Sequence, residues 1–393
     1  TPMRSSAASD VYKRQPQTLK RMRQNFEPMS EAIIDPDIRV AQTLPSEFYT
    51  DEKYFSKQME ELTRSLQFAG HRSEFTSDMT PISHLESILG QPTLRTMNES
   101  EAFLLSNVCT HRGMILCQES RDGKSIQCPY HGRTFHRDGR LKHMPGFADV
   151  RNFPAQSDDL PRLKLSEWFG FEFASVSDVV DIETMMQPVT QRMDWWLENL
   201  HLKHDPSRDR EWNIDANWIL YVDNYLEGFH IPFVHPELNN ALASDGYSTE
   251  CFDNAVLQIG LANDADDVYF EIPEGSIDAG KRVAAYYWWL YPNLMMNIYP
   301  WGVSMNIIIP TSVNTTTVLF RSYVQNPELL DKGAGSLLDK VELQDQFVVE
   351  GCMRGLQSKL YQHGRYSPTH ENGVHQFHMN LTKEKGKKES PRI

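Results

Sequence analysis

Two short segments constrain this chain more than anything else in it: Cys109-Thr-His111 and Cys128-Pro-Tyr-His131. Each supplies one thiol and one imidazole from a short loop, so the two segments form a matched pair of metal-binding arms. Structural zinc sites usually keep like residues together, as C-x2-4-C and H-x3-5-H, and the mixed pairs here argue against zinc. Thiolates also suit iron–sulfur chemistry. Replacing two of four cysteines by neutral histidines on one iron of a [2Fe–2S] cluster lowers the cluster's negative charge and raises its potential.

The flanking residues support that choice. Asn107-Val-Cys-Thr-His-Arg-Gly113 and Cys128-Pro-Tyr-His-Gly132 each place a glycine just past the histidine, where a tight turn can wrap backbone around a cluster. With these motifs the sequence resembles the Rieske family. The resemblance implies that Cys109 and Cys128 hold the inner iron of the cluster and His111 and His131 the outer one.

A cluster alone makes an electron carrier, yet the chain has 393 residues and continues far beyond His131, enough for a second domain that receives the electrons. The candidate receiver is Asp223-Asn-Tyr-Leu-Glu227-Gly-Phe-His230-Ile-Pro-Phe-Val-His235. Spacing predicts Glu227 and His230 on one helix face. Pro232 is expected to bend or end that helix, which would bring His230 and His235 to one point. Two histidines and one carboxylate are the facial triad of non-haem Fe(II) oxygenases. For the carboxylate, Leu338, Val341, Val348 and Cys352 form an apolar helical stripe whose gap is filled by Asp345. An unpaired buried charge is expensive, so Asp345 is expected to meet a cation or metal, whereas Glu342 and Glu350 fall off the stripe and are expected in solvent.

Taken together, these segments resemble the catalytic (alpha) subunit of Rieske non-haem iron oxygenases. In that family the pattern E/D-x2-H-x4-H precedes, by about a hundred residues, an Asp set five before a Glu, here Asp345 and Glu350. The resemblance runs from about Leu44 to about His378. It implies His230, His235 and Asp345 as ligands of a mononuclear Fe(II) and Glu227 as the bridge between the two metal centres, where many ring-hydroxylating relatives carry Asp. It also implies a homotrimer in which the cluster of one subunit feeds the iron of its neighbour. The implied fold is α+β: a small antiparallel β Rieske [2Fe–2S] domain and a helix-grip (START/Bet v1-like) catalytic domain with an antiparallel sheet. Neither a GxGxxG phosphate turn nor a second cysteine cluster occurs, so NAD(P)H is expected to act indirectly, through a separate flavin/iron–sulfur reductase, with O2 as co-substrate.

Bulk features fit this reading. A formal net charge of −14 disfavours nucleic acid and suits a basic patch on a redox partner. No membrane segment is expected, since the most hydrophobic region, Tyr286 to Pro310, is broken by Pro292 and Pro300. The N-terminus lacks the apolar core of a signal peptide, and the expected compartment is cytoplasmic. Cys117, Cys251 and Cys352 are then expected as buried thiols. Asp10-Val-Tyr-Lys-Arg-Gln15 resembles a translated library adapter, so residues 1–15 are set aside. Residues 16–45 are expected as an extension, 46–178 as the Rieske domain and 179–393 as the catalytic domain. Thr50 is expected to cap a helix running to about Leu66, with strands near 102–108, 170–174, 305–309 and 316–323 and a solvated basic tail at 383–388.

Substrate is carried by less. Tyr286-Tyr-Trp-Trp-Leu-Tyr-Pro-Asn293 and Tyr299-Pro-Trp301 offer faces for a cation–π cage around a quaternary ammonium, or are ordinary strand core. The wording Asp223-Asn-Tyr-Leu-Glu-Gly, with Pro232 inside the histidine pair, resembles choline and related quaternary-amine monooxygenases more than naphthalene or biphenyl dioxygenases. Expected is a terminal oxygenase acting on such an amine. The alternatives are a ring-hydroxylating dioxygenase and, outside that class, a non-catalytic Rieske carrier or a zinc-stabilised binding protein.

Overall fold

The computed structural model describes residues 34–99, 101–176, 181–263, 268–336 and 338–383. The adapter-like segment 1–15, most of the extension and the basic tail beyond Lys383 lie outside the described residues. In the N-terminal part, a six-stranded antiparallel sheet runs in the order β1-β9-β8-β4-β3-β2 and a three-stranded sheet in the order β5-β6-β7. The strands are β1 (Gln67–His71), β2 (Met79–Pro81), β3 (Thr93–Asn98), β4 (Glu101–Ser106), β5 (Ile126–Gln127), β6 (Thr134–Phe135), β7 (Leu141–His143), β8 (Arg162–Trp168) and β9 (Phe171–Ser175). Thr50 does not cap the first long helix. It ends a single turn, α1 (Glu47–Thr50), and Asp51 caps α2 (Glu52–Arg64) by accepting the Lys53 N–H at 2.7 Å. Asp is a strong cap with its own acidic charge at the positive helix end, so it displaces Thr.

The change of character expected near Asp181 is a helix start: Asp181 accepts the Thr184 N–H at 3.1 Å and opens α3 (Ile182–Leu197). Beyond it lies an eight-stranded antiparallel sheet. Its strands are β10 (Lys203–His204), β11 (Arg210–Ile214), β12 (Leu242–Phe252), β13 (Ala255–Ala262), β14 (Val283–Leu290), β15 (Leu294–Tyr299), β16 (Gly302–Ser312) and β17 (Thr315–Val324). The aromatic run in β14 does not alternate with polar residues because both faces are covered. Tyr286 packs on Phe270, which meets Trp195 of α3, while Trp289 on the opposite face packs on Phe377. Arg192 of α3 forms a buried ion pair with Asp278 at 2.6 Å and reaches the more exposed Glu250 of β12 at 2.9 Å, and these contacts pin the helix to that side.

On the other side sit α4 (Trp218–Tyr225), α5 (Ile231–Val234), α6 (Pro236–Ala241), α7 (Leu338–Leu356) and α8 (Asn372–Thr382). Asn217 caps α4 by accepting the Ile219 N–H at 3.0 Å. The buried face of α7 is rotated by one residue from the expected stripe: Glu342, Val349 and Met353 are buried, whereas Val341 and Val348 are half-buried and Cys352 is exposed. Glu342 therefore faces inward, a correction to its expected place in solvent, because Tyr221 on α4 donates to it at 2.6 Å. Glu350 is half-buried and accepts the Asp215 N–H at 3.2 Å. Cys117 is buried as expected, but Cys251 is exposed on β12, so two of the three spare thiols are not core. Among the described residues, no helix is long and apolar enough to cross a membrane.

Candidate active site

The segments Cys109–Gly113 and Cys128–Gly132 fold into two copies of one turn. Gly113 N donates to Cys109 O at 3.0 Å and Cys109 N to Met114 O at 2.8 Å. In the second copy Gly132 N donates to Cys128 O at 3.1 Å and Cys128 N to Arg133 O at 2.8 Å. Both closing glycines have positive φ, 72° and 73°, a region that costs any L side chain. The turns bury Cys109 and Cys128 in one small apolar core, leave His111 half-buried and expose His131. The two imidazole centroids lie 4.9 Å apart.

Burial raises the Cys109 thiol, opposed by the N–H of His111 and the charge of Arg133. Desolvation, then His131, Arg112 and Arg133, hold the His111 imidazole below its ordinary range, so it is neutral, the form that ligates. Arg133 is itself buried and fixed by Asp158 at 2.8 Å. Two thiols inside and two imidazoles outside are the donors a [2Fe–2S] cluster with one histidine-held iron requires, and the residues fit that group.

The second constellation is assembled from distant parts of the chain. Glu227 is not on a helix, as its spacing with His230 had predicted: α4 ends at Tyr225, and Glu227 lies in the turn that follows. Its carboxylate accepts the backbone N–H of Phe229 and, at 3.0 Å, that of His230, and contacts His230 Nδ1 at 2.6 Å. Pro232 does not break a helix. It sits in the first turn of α5, where a missing N–H costs nothing, and the short helix delivers His235 at its end. The His230 and His235 ring centroids are 5.1 Å apart.

Asp345 projects from α7 to meet them. One donor atom from each of His230, His235 and Asp345 lies within 4.8 Å of the others. Asp345 Oδ1 is 2.9 Å from His235 Nε2 and 3.5 Å from His230 Nε2. Each histidine's remaining nitrogen faces an acceptor: Glu227 Oε1 for His230 and Gln344 Oε1, at 2.8 Å, for His235. Those acceptors place the ring protons on Nδ1 and turn both Nε2 lone pairs toward a carboxylate oxygen. Acceptor facing acceptor requires a cation between them. Burial opposes a charged His235, but its hydrogen bond to Asp345 and that carboxylate's charge raise its pKa. The donor set, two imidazoles and one carboxylate, fits a mononuclear Fe(II).

Asn224, whose Nδ2 donates to Asp345 Oδ1 at 2.7 Å, and Gln344 were missed from sequence. Asn224 lies inside the quoted motif, but only the fold shows that it points at a residue far along the chain. A cavity of about 120 Å³ opens beside the three converging donor atoms, between α4 and α7 on one side and the sheet on the other. Tyr221, Tyr225, Tyr247, Tyr287 and Tyr299 supply its aromatic surface, so part of the aromatic run lines a pocket and part is core. Burial pushes Glu342, in the cavity wall, up to about 7 despite hydrogen bonds from Tyr221 and Gln346.

Comparison with known proteins finds a match for each of the two regions. Residues 70–154 match the Rieske [2Fe-2S] domain, and residues 197–384 match the catalytic domain of ring hydroxylating alpha subunits. The chain belongs to the Rieske oxygenase alpha-subunit family and is an oxidoreductase. Among its relatives are the chloroplastic choline monooxygenase of Beta vulgaris, 28% identical over 88% of this chain and 78% of that protein. The carnitine monooxygenase oxygenase subunit of Escherichia coli K12 is also 28% identical, over 86% of this chain and 92% of its own. In fold, a quaternary ammonium Rieske monooxygenase superposes with a TM-score of 0.75 at 24% identity, over 91% of this chain and 99% of that one. Naphthalene 1,2-dioxygenase from Rhodococcus does so with a TM-score of 0.71 at 18% identity, over 88% and 95%.

Proposed function

We propose that this chain is the terminal component of a monooxygenase acting on a small quaternary amine, with Cys109, His111, Cys128 and His131 holding a Rieske cluster and His230, His235 and Asp345 holding iron. The observation that carries the proposal is the convergence of His230, His235 and Asp345 at the wall of a tyrosine-lined cavity. When bound, the cluster supplies electrons one at a time and the iron a centre at which O2 is activated. This chain's residues do the rest. Glu227 and Gln344 fix the ring orientation of the two histidines, Asn224 holds Asp345, and the buried tyrosines exclude water and offer faces to a cation. A separate reductase drawing on NAD(P)H supplies the electrons in the cytoplasm.

Glu227 is the proposed bridge between centres on neighbouring subunits. Beside it Phe229 and Phe233 are exposed, and at the other site Tyr130 and His131 are exposed. Two such surfaces on one chain suit head-to-tail pairing in a closed ring of three. The quaternary ammonium monooxygenase of similar fold is described as transferring electrons between subunits.

The relatives that act on choline and carnitine favour the amine over an arene. The test is a single turnover of chemically pre-reduced protein with O2 and pooled quaternary amines and aromatic acids, read by mass spectrometry. An oxidised or demethylated amine is the expected product. A hydroxylated or cis-diol arene in its place would move the chain to the ring hydroxylases.

A further inference from the structure

Away from the three residues that converge on the metal position, the cavity wall is rich in acceptors and poor in bases. Glu342 lies one helical turn before Asp345 on α7, is 4% exposed and lines the cavity. Its two partners, Tyr221 at 2.6 Å and Gln346 at 3.0 Å, are neutral donors. Among the described residues, no Lys or Arg lines the cavity at all. A buried carboxylate without a cation is costly, and a ligand that brings the cation removes that cost.

A second group, on the facing sheet, has the same deficit. Gln258 on β13 is 1% exposed, and its Nε2 donates to Tyr225 O at 2.6 Å, which fixes the orientation of the amide. Its Oε1 is buried with no donor among the described residues, on a side chain that lines the cavity. Buried amide oxygens are rarely left so. In register across the sheet, Gln258 pairs with Tyr287, Tyr287 with Asn297 and Asn297 with Ser304, so the orphaned oxygen shares one row with an aromatic face and two small polar side chains.

We infer that the cavity selects a small organic cation ending in a hydroxyl, with Glu342 as its counter-charge and Gln258 as the acceptor for the hydroxyl, and that it rejects zwitterions carrying a carboxylate. This rests on the quaternary-amine reading above and narrows it. The cation gains a carboxylate and tyrosine faces; the hydroxyl gains a buried acceptor that lacks a donor among the described residues. A carboxylate in that space meets Glu342 and finds no base, so like charge supplies the rejection.

The test is titration calorimetry on protein carrying cluster and iron, with three ligands of similar size: choline, its neutral isostere 3,3-dimethylbutan-1-ol, and glycine betaine. Choline is expected to bind at least about tenfold tighter than either of the others, the worth of one charge-assisted contact. Glu342→Gln is expected to erase the advantage of choline over the isostere while leaving isostere affinity in place. Gln258→Leu is expected to weaken choline and isostere alike, since both carry the hydroxyl. A general loss of structure would not produce that split. The wild-type series needs no variant: betaine binding as tightly as choline overturns the inference, as does a Glu342→Gln protein that keeps the choline preference. If betaine is bound and oxidised as well as choline, only this inference falls. If no quaternary amine binds and an arene is turned over, the reading beneath it falls too.

Discussion

The two candidate metal-binding regions of this chain are built by opposite means. At the cysteine–histidine loops, the proposed ligands and the turns that hold them are contiguous: five residues, closed by main-chain hydrogen bonds and a glycine, repeated once. At the cavity, the proposed ligands come from a turn after α4, the end of α5 and the middle of α7, and side chains from α4 and α7 hold two of them. A local site depends on backbone conformation. An assembled site depends on packing between distant elements, and it tolerates residues that cost stability, such as Glu342, because its shape is fixed from several sides.

The largest effect expected from this contrast is at Asp345. Asp345→Ala removes one proposed ligand from the assembled site and touches nothing in the loops. The Rieske absorption spectrum should be retained, while the mononuclear iron is lost and turnover falls by more than about a hundredfold, beyond the range seen for residues that only support ligands. Iron analysis and product formation on the same sample check this. Normal turnover would show that another carboxylate completes the site, and loss of the Rieske spectrum would show that the two regions are not independent.

A smaller effect sharpens the comparison through pH. Burial raises Glu342 from its ordinary 4.5 to about 7, so the folded chain holds this proton at pH values where the unfolded chain has released it. Stability should fall as pH rises from about 4.5 to about 7 and level off above, the reverse of a carboxylate held by an ion pair. Glu342→Gln, which still accepts from Tyr221, abolishes the fall. In protein stripped of its mononuclear iron, the variant should be more stable than wild type, and by about 2 kcal/mol more at pH 8 than at pH 5. Denaturant titration at the two pH values measures it, and an equal gain at both would mean that the carboxylate is not protonated in the fold. Taken with the ligand-binding inference, Glu342 trades stability for selectivity.

Legibility in the sequence follows the same division. The loops stand out in the sequence because Cys, His and Gly carry their chemistry at short, fixed spacing. Glu227, His230 and His235 were legible as a cluster, but their conformation was not: helical spacing suggested a shared face, and the chain instead leaves the helix at Tyr225 and re-enters it after His230. Asp345 was found from an apolar stripe that is offset from the face α7 buries, and Glu342 was misplaced by the same offset. Amphipathic periodicity cannot see a polar partner such as Tyr221, which arrives from another helix. Gln258 left a faint trace, as one amide in the run Ala255–Ala262, whose meaning depends on the strands beside it.

The smallest effect expected lies in the loops and tests whether their backbone is the constraint. A Cβ added at Gly113 meets nothing within 4 Å, and one at Gly132 comes no closer than 3.7 Å to Pro145, so neither site lacks room. Any cost of Gly113→Ala is then conformational, from holding an alanine at φ 72°, and amounts to about 1 kcal/mol. Asparagine enters that region more readily, so Gly113→Asn should cost less than Gly113→Ala although its side chain is larger. The midpoint of thermal loss of the Rieske absorbance reads this order directly. If asparagine proves as costly as alanine or worse, size rather than backbone angle governs the loop, and the contrast between a conformational site and a packed one fails at its simpler end.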